Sequence, residues 1–261
     1  MTPSGGADPA RAEGGAARRE AEPMRDVFAR RSVAPTGRLV SDAAEPARRV
    51  RLCAGETLYR QGDPVPFFYL IGTGHLKLFR TSSRGDTLIV ELLAAGALFG
   101  PGLTTARLAG HTAVAKSAAT LSRYGPECLE RAAADDPAIA TRVVNELADR
   151  LQRAERRLQA MLGLDVRSRL AMALRDLAVE TGTRCPHGHE IDVPITQQEL
   201  AELIGASRPT VSLELNALRR RGLLSYTRRF ICLDRPDALI DWIEEEAAGV
   251  SRRTDAASCR D

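Results

Sequence analysis

The chain has 261 residues, a formal net charge of +3, 44% hydrophobic and 27% charged side chains, values of a globular protein that exclude collagen, wholesale disorder and a disulfide scaffold. No apolar run approaches the roughly 18–20 residues of a membrane-spanning helix, and residues 2–23 contain no hydrophobic residue but Ala, so neither a membrane partner nor a secretory signal is expected. The five cysteines (53, 128, 185, 232 and 259) are scattered and odd in number, which predicts a reducing, cytoplasmic setting. Of 37 basic residues all but Lys77 and Lys116 are Arg, so the position of the charge matters more than its sum.

In chain order, residues 1–36 read as a disordered leader of Ala, Gly, Pro and mixed charge, with a short amphipathic segment at Met24–Arg31. Residues 37–135 read as a β domain. Nine of the 21 glycines fall between Gly55 and Gly110, separating β-like runs at Phe67–Ile71, Leu76–Phe79 and Thr87–Leu93. Ser82–Asp86 between two of these runs predicts a hairpin loop. Many short strands with Gly punctuation predict an antiparallel β-roll of the jelly-roll or double-stranded β-helix kind.

After Pro137 the period becomes helical. Ala140, Val144, Leu147, Leu151, Ala154, Leu158 and Met161 are spaced alternately by four and three, giving three heptads of seam positions. Two readings are open: an amphipathic helix packed on its own domain, or a coiled coil between subunits. Arg150, Arg153, Glu155, Arg156 and Arg157 on the other faces favour the dimer, so 136–163 is expected as a dimerisation helix.

Residues 164–241 predict a second helical domain, and 242–261 a tail. Leu170, Ala173, Leu174 and Leu177 form one stripe, and 182–190 read as an exposed loop. Thr196 and Glu199 form a capping box, Leu200, Leu203 and Ile204 point inward, and Gly205 stops the helix. Ser207 then caps a second helix with Pro209 in its first turn, Val211, Leu215 and Leu218 inside, and Gly222 at its end. This is the pattern of a helix-turn-helix, or of any helical hairpin in a core. Charge decides between them: residues 207–230 hold six arginines (208, 219, 220, 221, 228, 229) against Glu214, a net of +5 that exceeds the whole chain's +3. Small and bidentate donors at Ser207, Arg208, Thr210 and Ser212 suit phosphates and base edges, and a hairpin over 223–233 with a basic tip at Arg228 and Arg229 suits a wing on DNA.

The order of these parts resembles the Crp/Fnr family of bacterial transcription regulators over residues 40–240, most specifically in ITQQELAELIGASRPTVSLELNALRRRGLL, and also in LYRQGDPVPFFYLIGTGHLKLFR and LLAAGALFGPG. The resemblance implies an α+β protein with a cyclic-nucleotide-binding-like sensor domain, a long dimerisation helix and a winged helix-turn-helix. It implies a homodimer on a near-palindromic double-stranded operator, with RNA polymerase as a further partner of an activator. The implied DNA-binding residues are Thr196, Gln197, Ser207, Arg208, Pro209, Thr210, Ser212, Leu213, Arg228 and Arg229. Arg208 matches a guanine-contacting Arg of the family, whereas Pro209 and Leu213 replace the Glu and Arg of its best-known members. The implied seam is Val144, Leu147, Leu151, Ala154, Leu158 and Met161.

Cyclic-AMP-binding members carry Gly-Glu-Leu followed by Arg-Ser-Ala. The matching effector-pocket positions here are Gly100, Pro101 and Gly102, then His111 and Thr112, without the carboxylate that meets the ribose or the guanidinium that meets the phosphate. No response to cyclic AMP is expected, and the small-molecule effector is left unnamed. The family's iron–sulfur cysteines and haem ligands are likewise missing at the matching positions, and His75 reads as a surface or packing residue. Cys185, His187 and His189 suggest zinc but lack an obvious fourth ligand unless Cys232 approaches, so a polar loop is the preferred reading. No phosphate-binding Gly-Lys motif, nucleophile elbow or paired His-Glu motif is present, so neither an enzyme nor a bound cofactor is expected. The alternatives are a ligand-binding module whose winged helix contacts proteins, and a constitutive DNA binder controlled by its abundance.

Overall fold

A computed structural model of the chain describes residues 48–103, 108–186, 188–227, 230–236 and 238–243. The expected leader, the segment Met24–Arg31, Arg228, Arg229, His187 and the tail after Ile243 lie outside the described residues.

Eight strands form the first half: β1 (Arg48–Leu52), β2 (Thr57–Tyr59), β3 (Phe68–Thr73), β4 (Leu76–Thr81), β5 (Thr87–Leu93), β6 (Leu98–Phe99), β7 (Thr112–Ala115) and β8 (Ala119–Tyr124). They make two four-stranded antiparallel sheets, ordered β1-β8-β3-β6 and β2-β7-β4-β5. The predicted hairpin loop joins β4 to β5, with Ser82 N–H donating to Asp86 C=O and Gly85 at φ +88°. Side-chain alternation explains why β3 reads as one apolar run. Tyr69 and Ile71 face the other sheet, among Leu76, Leu78, Phe99 and Leu121. Phe68 and Leu70 face the opposite way, onto Tyr124, Cys128, Ala132, Ile139 and Val143. Both faces of β3 are therefore buried.

Of these, Cys128 and Ala132 belong to α1 (Pro126–Asp135), and Ile139 and Val143 to the start of α2 (Pro137–Gly163). The periodicity placed α2 correctly, but α1 falls within the expected β domain and packs its Cys128 and Ala132 on the sheet. Asp136 caps α2, its carboxylate accepting from the Ala138 amide, and Pro137 occupies the first turn, where a missing donor costs nothing.

The last part contains α3 (Val166–Thr181), β9 (Gly182–Cys185), β10 (Gly188–Ile191), α4 (Gln197–Ile204), α5 (Arg208–Arg220), β11 (Leu224–Tyr226) and β12 (Ile231–Leu233). Residues 182–190, expected as a loop, instead contribute two strands to a sheet ordered β11-β12-β10-β9. Their short polar sequence has no apolar alternation because the strands are brief and β9 is an edge. The expected tail also begins too early: Trp242 and Ile243 are buried, and the guanidinium groups of Arg167 and Arg221 lie over the Trp242 ring. No described helix is long and apolar enough to cross a membrane.

Candidate nucleic-acid interface

The capping box at the start of α4 is complete. Glu199 N–H donates to Thr196 Oγ1 at 3.2 Å, and Thr196 N–H donates to Glu199 Oε2 at 3.0 Å. Gly205 ends the helix at φ +63°, a left-handed conformation that suits glycine. Ser207 caps α5, its hydroxyl accepting from Thr210 N–H, and Pro209 follows in the first turn. Leu200, Leu203, Ile204, Val211, Leu215 and Leu218 are all buried, so the inner stripes fall where the helical period put them.

The first turn of α5 then points outward. Ser207, Arg208 and Pro209 are exposed, Thr210 and Ser212 are half-buried, and Leu213 is 61% exposed. Thr196, Gln197, Arg208, Tyr226 and Thr227 line a cleft of about 560 Å³ between the helix starts and the β11–β12 hairpin. The single acid of this segment does not offset the charge there, because Glu214 is buried and paired at 2.5 Å with Arg167 of α3. Asn216 and Tyr226 were not legible in the sequence as partners. The Tyr226 hydroxyl donates to Asn216 Oδ1 at 3.1 Å, Asn216 Nδ2 donates to Ser212 C=O, and Arg219 lies over the Tyr226 ring. This chain of contacts fixes β11 against α5.

Glu199 does more than cap. Lys116 Nζ lies 2.6 Å from its Oε1, and Lys77 Nζ lies 3.0 Å from the same oxygen. Burial alone would raise the Glu199 pKa, but hydrogen bonds from Lys116, the Thr196 amide and Lys77 outweigh it and pull the group down to about 2. The chain's only two lysines, one on β4 and one just after β7, thus converge on the first helix of the helix-turn-helix.

The apolar stripe of α2 expected as a seam is exposed over most of its length. Val144, Leu147, Leu151, Ala154 and Leu158 are exposed, Leu151 at 61%, and Leu162 prolongs the stripe at 84%. Met161 is the exception: half-buried, it lines a small cleft with Arg169, Met172 and Ile204. A helix of 3.6 residues per turn drifts from a strict 3.5 repeat, which carries the last seam position toward α3 and α4. The neighbouring face of α2 grips β5. Arg150 and Arg153 reach Glu91 at 3.4 and 3.5 Å, and Arg157 donates to Val90 C=O at 2.7 Å. That carbonyl is free because a bulge leaves Val90 unpaired between the pairs Leu78↔Glu91 and Phe79↔Ile89.

The expected effector positions are held by the β-roll itself. Gly100 and Gly102 approach the backbone of Phe67 so closely that an added Cβ would lie 2.9 and 2.4 Å from its atoms. Pro101 is buried in a 3-10 turn, Pro101–Leu103. His111 Nε2 and the Tyr59 hydroxyl lie 2.8 Å apart, and Thr112 Oγ1 accepts from Gln61 N–H. Tyr59, Tyr69 and Phe99 pack ring to ring beside this pair, with centroids 5.5–6.4 Å apart. Burial lowers the His111 pKa, and the nearby Arg80 and Arg150 add to that against Glu91, which favours the neutral ring. His75 is half-buried, as a packing residue would be. Cys232 does approach Cys185, with sulfurs 3.1 Å apart. Among the described residues no three His, Cys, Asp or Glu side chains converge on a metal position.

Two family models match the chain: a cyclic nucleotide-binding domain over residues 49–136 and a Crp-like helix-turn-helix domain over residues 168–242. A global nitrogen regulator of Synechococcus elongatus is 30% identical, with 71% of this chain and 85% of that protein covered. A CRP-like cAMP-activated global transcriptional regulator of Mycobacterium tuberculosis is also 30% identical, over 64% of this chain and 75% of that protein. Among solved structures, FixK2 from Bradyrhizobium japonicum shares the fold with a TM-score of 0.65 at 22% identity, covering 74% of this chain and 96% of that one. With a β-roll, a long helix and a helix-turn-helix in this order, the chain belongs to the Crp/Fnr family of transcription regulators and carries that family's helix-turn-helix DNA-binding domain.

Proposed function

We propose that the chain acts in the cytoplasm as a homodimer that reads a near-palindromic operator, with residues 37–135 as sensor, 136–163 as dimerisation helix and 164–241 as winged helix-turn-helix. The observation that carries this reading is the exposed first turn of α5, presented by two capped helices whose inner faces are buried. Arg208 reads a guanine edge, Leu213 offers an apolar contact to a thymine methyl, Ser207 and Thr210 hold phosphates, and Thr196 shapes the DNA-facing end of α4 through its capping box. Gln197 lines the same cleft, and Arg228 and Arg229 add two positive charges to this stretch of the sequence. The exposed stripe Val144–Leu147–Leu151–Ala154–Leu158 supports the dimer, since an apolar seam of this length is stabilised by a second copy of itself.

The same reading has a sensor domain that does not respond to cyclic AMP. The Mycobacterium relative is named as cAMP-activated, but here Gly100–Gly102 and His111–Thr112 offer a cyclic nucleotide no carboxylate and no guanidinium. Loss of two charge-assisted contacts, each worth about 1.5–3 kcal/mol, weakens binding by orders of magnitude. An activator of this kind also contacts RNA polymerase.

The test is selection of duplex DNA from a random pool by the full chain, followed by titration of the recovered site at rising salt. The expected product is an inverted repeat with half-site centres about 10–10.5 base pairs apart, bound less tightly as salt rises. A pool without an enriched site, or affinity independent of salt, would overturn the reading.

A further inference from the structure

In the sheet β11-β12-β10-β9, Cys185 lies on the edge strand and Cys232 two strands away, with β10 between them. The register partner of Cys185 is Gly188, so no β10 side chain stands opposite it. The partner of Cys232 on the other side of β10 is Glu190. Register partners project to the same face of a sheet. Both thiols therefore occupy one face, and Cys185 reaches over the glycine to bring the sulfurs within 3.1 Å. Neither is in a disulfide.

We propose that Cys185 and Cys232 form a redox site, at which a small neutral hydroperoxide converts the two thiols into a disulfide that bridges β9 to β12 across β10. The site stands whether or not α5 reads DNA, because it rests on the sheet alone. The two sulfurs need to close by about 1 Å to reach a bonding distance near 2.05 Å.

The burial of the two thiols sets their roles. Cys185 is half-buried on an open edge and meets the oxidant first, whereas Cys232 is buried. Burial, the hydrogen bond with Cys185 and the nearby Asp234 and Glu190 carboxylates push the Cys232 thiol up to about 12, so it stays protonated until its partner is activated. The Cys185 thiolate attacks the distal peroxide oxygen and breaks the O–O bond. The leaving oxygen takes the proton that the Cys185 thiol gave up and departs as an alcohol or water, and Cys185 becomes a sulfenic acid. The Cys232 sulfur then attacks the Cys185 sulfur. The S–O bond breaks, and the hydroxide takes the Cys232 proton and leaves as water. Two electrons pass from the two thiols to one peroxide, and a dithiol reductant reverses the change. The same carboxylates that hold the Cys232 proton repel anionic oxidants, which is why a neutral peroxide is the fitting class.

Among the described cysteines, the geometry singles out these two from Cys53 and Cys128. Cys53 is exposed and Cys128 is buried in the sheet–helix core, and neither has a second thiol beside it among the described residues. A bridge here ties β12, the second strand of the hairpin after α5, to the strand that leaves α3.

Trypsin cuts after Arg184 and Arg229 and separates the two cysteines into different peptides. The full chain, reduced and then treated with hydrogen peroxide, is digested under denaturing, thiol-blocked conditions and mapped by mass. The expected result is one cross-linked peptide pair holding Cys185 and Cys232, two hydrogens lighter than the free pair and lost on treatment with dithiothreitol. Cys232→Ser should instead trap Cys185 as a sulfenic acid that a dimedone probe labels, and Cys185→Ser should leave Cys232 as a free thiol. Recovery of both peptides with free thiols, under peroxide sufficient to oxidise Cys53, overturns the proposal even if the variants do not fold. So does a cross-link from either cysteine to another position.

Discussion

Lys116 Nζ lies 2.6 and 2.7 Å from the two carboxylate oxygens of Glu199, a pair 83 positions apart that joins the end of β7 to the first turn of α4. The Lys116 amide in turn donates to the His75 carbonyl, which fixes where the side chain begins. A fixed base and two acceptor oxygens make this contact a firm polar link between the β-roll and the helix-turn-helix.

Its pH dependence follows from the sign of the shift. The folded pKa of Glu199 is about 2 against an ordinary 4.5. The depressed value means that the stabilisation is fully present above about pH 4.5 and disappears as pH falls toward about 2. By linkage the loss is at most about 3 kcal/mol. Urea unfolding followed from pH 7 to pH 2 should show this acid limb. Glu199→Gln, which keeps the size but leaves two lysines unmatched, should be less stable at pH 7 by about 2–3 kcal/mol and lack that part of the limb. An identical acid limb in the variant would assign it to other carboxylates.

Leu151→Glu tests the seam. The side chain is 61% exposed within one chain, so the substitution should leave the fold of the protomer unchanged. Two carboxylates facing each other across a dimer seam are each stripped of water, and association should fall by at least a hundredfold. Sedimentation velocity is expected to show monomer at concentrations where the parent is dimeric, with operator affinity lost in parallel. A dimeric Leu151→Glu protein would remove α2 from that role.

Arg208→Ala tests the reading helix. The change should relax preference at one base pair of each half-site and cost about 1–3 kcal/mol per contact, with the salt slope little altered. By contrast, a phosphate-contacting residue would lower affinity for all sequences alike and reduce the slope. Competition between the selected site and its single-base variants separates the two outcomes.

Isothermal calorimetry with cyclic AMP should register no binding in the micromolar range, because burial favours the neutral form of His111, which Tyr59 already holds. Adding the missing groups at positions 101 and 111 as Pro101→Glu and His111→Arg should not by itself create a tight site. The rings of Tyr59, Tyr69 and Phe99 pack beside it, and Tyr59 would be left without its partner.

Local chemistry carried most of the fold into the sequence. Thr196 with Glu199, Ser207 with Pro209, Gly205 and the helical period of α2 are each written within a few positions, so period and capping rules recover these helices and their ends. Contacts across long separations were not legible. Nothing near Lys77 or Lys116 points to Glu199, and nothing near Val90 points to Arg157. The strands β9 and β10 were hidden because Pro186, His187 and Gly188 look like a loop, and the pairing that makes them strands comes from β12. Trp242 was lost to the tail for the same reason: its packing under Arg167 and Arg221 is tertiary.

The bulge at Val90 has a mechanical consequence. A helix of 27 residues is about 40 Å long, so a tilt of about 5° moves its far end by about 3.5 Å, close to one base-pair step along a DNA axis. Ile139 and Val143 clamp one end of α2 to the first sheet, and Arg150, Arg153 and Arg157 clamp its middle to β5. A rod held at two points on two sheets does not tilt freely. Any tilt strains contacts on both sheets at once, which couples the direction of the helix to the packing of the β-roll.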